Sequence, residues 1–209
     1  GKRVFIDKPI AASLPHVLAL FEASKKYQVP MFSSSSLRYT VRTQELRAGK
    51  FGKIVGVEAF SPCALESTHP DLYWYGIHGV ETLFTLMGTG CESVVRVSTP
   101  GTDVAVGTWR DGRVGSFRGN RACSGKYGAS VFMEKGMQTV DDFKGYDPLL
   151  VEILKFFKSG IPPVAPEETI EMFAFMEAAD ESKRRGGVPV SLAEVLAKAR
   201  AEAAKIPLE

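Results

Sequence analysis

The chain has 209 residues, 44% of them hydrophobic and 24% charged, with a formal net charge of +2. That is enough apolar chain for one large or two small domains around a sizeable core, while the mixing of acids and bases gives neither a basic stripe for nucleic acid nor a solvating acidic tail. No apolar run is long enough to cross a bilayer, and Cys63, Cys91 and Cys123 are too widely spaced for a metal site, so the expected partners are small molecules or proteins.

In chain order, the sequence predicts an apolar strand over 3–10, then a helix over 14–27 with Ser13 as N-cap and Pro15 in its first turn. A second strand over 29–33 completes a β-α-β unit. A parallel pair alone leaves bare edges, so the unit reads as the tail of a larger parallel sheet. A short helix over 41–48 closes at Gly49, a strand follows over 53–60, and a helix is expected over about 72–87.

Further on, VAVGTW and VGSFRG flank Arg110-Asp111-Gly112-Arg113, which predicts a hairpin with a type I′ turn. A second hairpin is expected across Lys135-Gly136. The chain then turns helical: Leu149, Leu150, Ile153, Phe156 and Phe157 recur at helical spacing, and the helix over 167–185 is apolar on two sides. Ser191-Leu192-Ala193-Glu194 has the pattern of a capping box opening a last amphipathic helix.

The expected class is therefore α+β (α/β): an open, largely antiparallel sheet covered on one face by helices and preceded by the β-α-β unit. Its other face is expected to carry apolar residues from among Val106, Trp109, Phe117 and Phe132, a surface suited to self-association. The three cysteines are read as free, buried thiols in a reducing compartment.

Lys8 ends a parallel strand, where open α/β sheets place their ligands, and Pro9 fixes the backbone after it. The plainer reading is a surface lysine at a strand end. On a helix Trp74, His78, Glu81 and Thr85 share one side, and Glu81 is expected to hold the His78 imidazole in one tautomer, as an acid/base histidine requires. A helix-surface histidine paired with a carboxylate is the alternative. Tyr73, Trp74 and Tyr75 suit stacking on a sugar ring or a nicotinamide, or plugging an interface. Arg38 follows the serine run at 33–36 and reads as either an anion binder or a buried ion pair. His16 and His69 have weaker cases, and no Gly-x-Ser-x-Gly elbow or phosphate-cradling Gly-Lys-Ser/Thr loop is present.

Four stretches together resemble the Gfo/Idh/MocA oxidoreductases: VFIDKPIAAS, FSSSSLRY, GIHGVETLFTLMG and PVAPEETIEMFAFMEAADESKRRGGVPV. The first resembles that family's strand ending in Glu-Lys-Pro, with Asp7 in place of Glu. The third resembles its Asp-x-Gly-x-His-x-x-Asp helix, with Trp74 and Glu81 in place of the two Asp residues. The resemblance implies that Lys8 and His78 are catalytic, that Asp7, Lys8, Pro9 and Arg38 lie on the cofactor side, and that Trp74, Tyr75 and Glu81 face substrate. It implies hydride transfer between NAD or NADP and a sugar, polyol or related hydroxy compound, in a homo-oligomer formed through the sheet face.

The family's Gly-x-Gly-x-x-Gly turn occurs nowhere in this sequence. The resemblance thus implies that residues 1–36 are the remnant of a Rossmann domain whose earlier strands are missing, and that 37–209 form the substrate-binding and oligomerisation domain. The chain as it stands is then expected to bind NAD(P) poorly and to be inactive alone. The alternatives are a non-catalytic dimerisation or sugar-binding module and an NAD-dependent glycoside hydrolase of the same family. Cytoplasmic localisation is the expectation.

Overall fold

The computed structural model describes residues 2–123 and 125–208. The first unit is β1 (Val4–Asp7), α1 (Leu14–Lys26) and β2 (Met31–Ser34), with β1 and β2 paired in parallel from Val4 opposite Met31 to Asp7 opposite Ser34. Both strands are shorter than the apolar runs predict: the β1 ladder ends at Asp7, before the cis Lys8-Pro9 peptide, and β2 begins at Met31. Ser13 caps α1 by accepting from the His16 N–H.

A short 3-10 turn (Ser36–Tyr39) and α2 (Val41–Arg47) lead to the main sheet: β3 (Ile54–Pro62), β4 (Cys91–Thr99), β5 (Thr102–Trp109), β6 (Val114–Asn120), β7 (Gly128–Met133), β8 (Gly136–Val140) and β9 (Val190–Ser191). Its strand order is β8-β7-β3-β6-β5-β4-β9, with every adjacent pair antiparallel except β3 and β6. Four helices complete the chain: α3 (Ile77–Met87), α4 (Asp147–Ser159), α5 (Pro166–Arg184) and α6 (Leu192–Ala203). The α+β expectation of an open, largely antiparallel sheet covered on one face holds.

That cover is formed by α3 and α5, and burial alternates along the strands accordingly. Met172, Phe173, Ala174, Phe175 and Met176 are buried on successive positions of α5, which packs between sheet and helices as its two apolar sides predict. A separate cluster of Phe32, Phe156 and Val164 seats α4 against β2, with Phe32 and Phe156 edge to face at 4.9 Å.

Several expectations need correction. Trp109 and Phe117 lie on the covered face, where Trp109 packs on Phe84 and Phe117 under Gly79; Val106 and Phe132 do occupy the open face, each 37% exposed. The period of two assigns residues to faces only once register is known. The β5–β6 turn is not type I′, since Gly112 alone has positive φ (84°) and Trp109 N–H bonds Arg113 O across a longer loop. Ser191 caps α6 through the Ala193 N–H, while Glu194 turns to Arg185 instead of closing a capping box. The helix expected from about 72 begins at Ile77, after consecutive turns. Cys63 and Cys91 are buried free thiols, as read, but Cys123 is exposed.

Candidate active site

Two distant segments meet at the C-terminal end of β1. Lys8 Nζ donates to the Trp74 carbonyl at 3.3 Å and stands 5.2 Å above the Tyr75 ring and 5.8 Å from that of Trp74. Burial pushes the Lys8 ammonium below its ordinary range, opposed by Asp7 first and then by Tyr75 and Glu81. His78 stands edge-on to Tyr75 at 5.2 Å. Burial, and secondarily the charge of Lys8, lowers its imidazole to about 3, so the ring is neutral at physiological pH.

α3 holds His78 in place through its neighbour. At Gly79 the helix lies so close to the sheet that a Cβ would fall 2.4 Å from the Phe117 ring and 3.0 Å from Ser61 Oγ. Glycine permits that approach. On the other side, Ser35 Oγ meets His78 Nδ1 at 2.7 Å from the end of β2.

The sequence reading pairs Glu81 with His78, and here the structure corrects it. Glu81 is 1% exposed; it accepts from Arg38 Nε at 2.7 Å, and from the Ser34 hydroxyl and the Ser35 N–H at 2.6 Å each. Arg38, also 1% exposed, gives its remaining charge to Glu168 at 2.6 Å. Of the two readings open for Arg38, the buried ion pair is the one present. The cofactor-side role for Arg38 and the substrate-side role for Glu81 therefore do not fit: both groups are sealed from solvent and bound to each other. Trp74 is 38% exposed and Tyr75 half-buried beside Lys8, where both remain accessible. Asp7 is exposed at the strand end and Pro9 partly buried beyond it. His69 contacts the Trp74 ring at 5.1 Å, and His16 is held at the start of α1 by Ser13.

One residue of this constellation escapes the sequence reading. Tyr127 donates to the Tyr75 hydroxyl at 3.2 Å and sets its ring edge-on to His78 at 5.6 Å. Burial, then the bond to Tyr75, raises its phenol above the ordinary range. No motif marks it; the only signal is an aromatic next to Gly128, where β7 begins. Tyr127 also borders a small recess with Thr82 and Phe143, whereas a larger cleft of about 540 Å³ lies beyond it, between Thr40, Arg42 and Asp142. Among the described residues, no cluster of three or more His, Cys, Asp or Glu has the placement to hold a metal.

The site thus offers donors (Lys8, the Tyr75 hydroxyl and a neutral histidine) and aromatic faces, with no carboxylate hydrogen-bonded to Lys8 or His78 among the described residues. That combination suits a hydroxyl or carbonyl oxygen on a ring-bearing ligand.

No family model matches the chain. No curated protein sequence matches it either. Solved structures do. A probable dehydrogenase from Thermotoga maritima aligns with a TM-score of 0.77 at 22% identity, over 93% of this chain and 74% of the other. The myo-inositol 2-dehydrogenase of Lactobacillus plantarum aligns at 0.75 and 14% identity, over 90% and 73%. The scyllo-inositol dehydrogenase of Lactobacillus casei, solved with bound NAD(H) and scyllo-inositol, aligns at 0.72 and 13% identity, over 92% and 73%. At these identities the likeness establishes the fold alone and not the activity: a mixed α/β architecture shared with 73–74% of each of these chains. Among the described residues, no helix is long and apolar enough to cross a membrane.

Proposed function

We propose that the chain is the substrate-side part of an NAD(P)-dependent oxidoreductase of the Gfo/Idh/MocA type, acting on a sugar, polyol or related hydroxy compound. Residues 1–36 are the end of its dinucleotide-binding unit and 37–209 its substrate and oligomerisation domain. The observation that carries this reading is the meeting of Lys8 and His78, seventy positions apart in sequence, around the Tyr75 ring at the C-terminal end of a parallel strand.

The nicotinamide, when bound, supplies or accepts the hydride. Lys8 has donor capacity beyond its one carbonyl contact, and Trp74 and Tyr75 offer ring faces beside it, so the nicotinamide end fits this chain; Asp7 and Pro9 border the same strand end. The pyrophosphate end does not fit, because the sequence has no Gly-x-Gly-x-x-Gly turn. Lys8 and His78 orient the reacting oxygen and handle its proton, and Tyr127 and Tyr75 complete the wall around it. Binding of NADH to this polypeptide is accordingly weak, and calorimetry reporting micromolar affinity would overturn that part. The expected compartment is the cytoplasm.

The test is turnover by the gene product read from its own start codon, following NAD(P) reduction over a panel of inositols, aldoses and polyols. Activity is expected, falling about 100-fold or more in His78→Ala and in Lys8→Ala with little change in unfolding midpoint. Turnover insensitive to both substitutions, or absent across the panel, sinks the reading in favour of a non-catalytic sugar-binding module.

A further inference from the structure

The hydrogens around Ser35 can be counted. Its Oγ lies 2.7 Å from His78 Nδ1 and 3.3 Å from the Leu37 N–H, which donates to it. The residue is 1% exposed, and among the described residues its hydroxyl has no other acceptor. If Nδ1 carried the proton and donated to Oγ, the serine hydrogen would be buried without a partner, the costly arrangement. If the serine donates to Nδ1, both buried hydrogens, its own and that of the Leu37 N–H, are used. The proton of the neutral ring is then on Nε2, which has no protein partner among the described residues and is not one of their buried orphan atoms.

The placement of Ser35 is itself fixed. Its N–H is held by Glu81 at 2.6 Å, and Glu81 is held by Arg38. The carboxylate expected at the imidazole thus acts one step removed, on the backbone that presents the serine.

We propose that Ser35 is a positioning residue which fixes His78 as the Nε2–H tautomer, so that His78 meets substrate as a neutral hydrogen-bond donor while Lys8 carries the reaction's proton. This deepens the oxidoreductase reading and rests on it for what the two groups serve. In the reducing direction a bound reduced nicotinamide would supply the hydride for the new C–H bond, the carbonyl π pair going to oxygen. That oxygen takes a proton from the Lys8 ammonium, leaving a neutral amine, while the His78 N–H stays intact and hydrogen-bonded to it. Oxidation reverses each step. A neutral imidazole donor is a known way to polarise a carbonyl, and two donors aimed at one oxygen stabilise the charge that develops on it in the transition state.

Two-bond proton–nitrogen NMR of this polypeptide reads the tautomer directly and needs no cofactor. The sequence has three histidines, and loss of one signal in His78→Gln assigns the one that matters. Wild type and Ser35→Thr should show Nε2–H; in Ser35→Ala the preference for that tautomer should drop about tenfold, the loss of one neutral hydrogen bond. An Nδ1–H signal in the wild type, or a tautomer ratio unmoved in Ser35→Ala, overturns the proposal. Wild type alone decides the first point should the alanine variant fold poorly. A wrong tautomer leaves the oxidoreductase reading standing, and a catalytically silent protein leaves the tautomer standing.

Discussion

Glu81 and Arg38 lock to each other at 2.7 Å in a site where both are 1% exposed. A buried pair of this kind adds little over a well-packed apolar pair, but removing one partner strands the other's charge. Glu81→Ala should therefore destabilise the chain by about 3–5 kcal/mol in urea unfolding. Glu168→Ala should cost less, because its side chain is 11% exposed and Arg38 keeps Glu81. Equal costs would mean that the Arg38–Glu81 contact is not the tighter lock.

Gly79 sets how closely α3 approaches the sheet. In Gly79→Ala the new methyl would stand 2.4 Å from a fully buried Phe117 ring, in a core with no room to yield cheaply. A loss of about 1–3 kcal/mol is expected despite the better helix propensity of alanine. Substrate binding should weaken too, since His78 moves with the helix. A variant as stable as the wild type would show that α3 is free to shift.

The local elements were largely legible because their signals are local. Ser13 caps α1, positive-φ Gly136 opens β8 after a two-residue turn, and the apolar spacing of 149–157 gives α4. What escaped depends on contacts between distant segments. The run CESVVRVST is rich in β-branched residues, yet nothing within it fixes its place as β4 between β5 and β9, and Trp109 and Phe117 take their face from a register no local pattern fixes. Glu81 sits three residues after His78 on the same helix, which suggested a pair. The stronger field of Arg38, forty-three positions away, captured it instead. Tyr127 reaches the site from an irregular segment that has no period to read.

The neutral state of His78 has a consequence for acid stability. Its imidazole is lowered to about 3 in the folded chain, chiefly by burial, whereas in the unfolded chain it takes a proton below about 6.5. Between those values the unfolded state binds more protons, so this group's contribution to folding is fully present above pH 6.5 and is lost as pH falls towards 3. The slope is at most about 1.4 kcal/mol per pH unit. Urea titrations at pH 4, 5, 6 and 7 should show it, and His78→Gln should flatten that part of the profile. The same slope in both proteins would assign the acid loss to other groups.

The open face of the main sheet carries Val55, Val97, Val106, Val114, Phe132 and Met137, all exposed, around a shallow depression that includes Phe60 and Val104. Apolar side chains contiguous over several strands are uncommon on a monomer's surface. The proposed homo-oligomer uses this face, and its polar members, Glu58 and Arg118 in the same depression, would lie within the contact. Replacing Val106 and Phe132 by glutamate places like charges across such an interface while leaving the covered core untouched. Sedimentation equilibrium should then find the wild type associated and the double variant monomeric, with the two unfolding equally when extrapolated to infinite dilution. A wild type that sediments as a monomer at high micromolar concentration would remove the sheet face from any role in self-association.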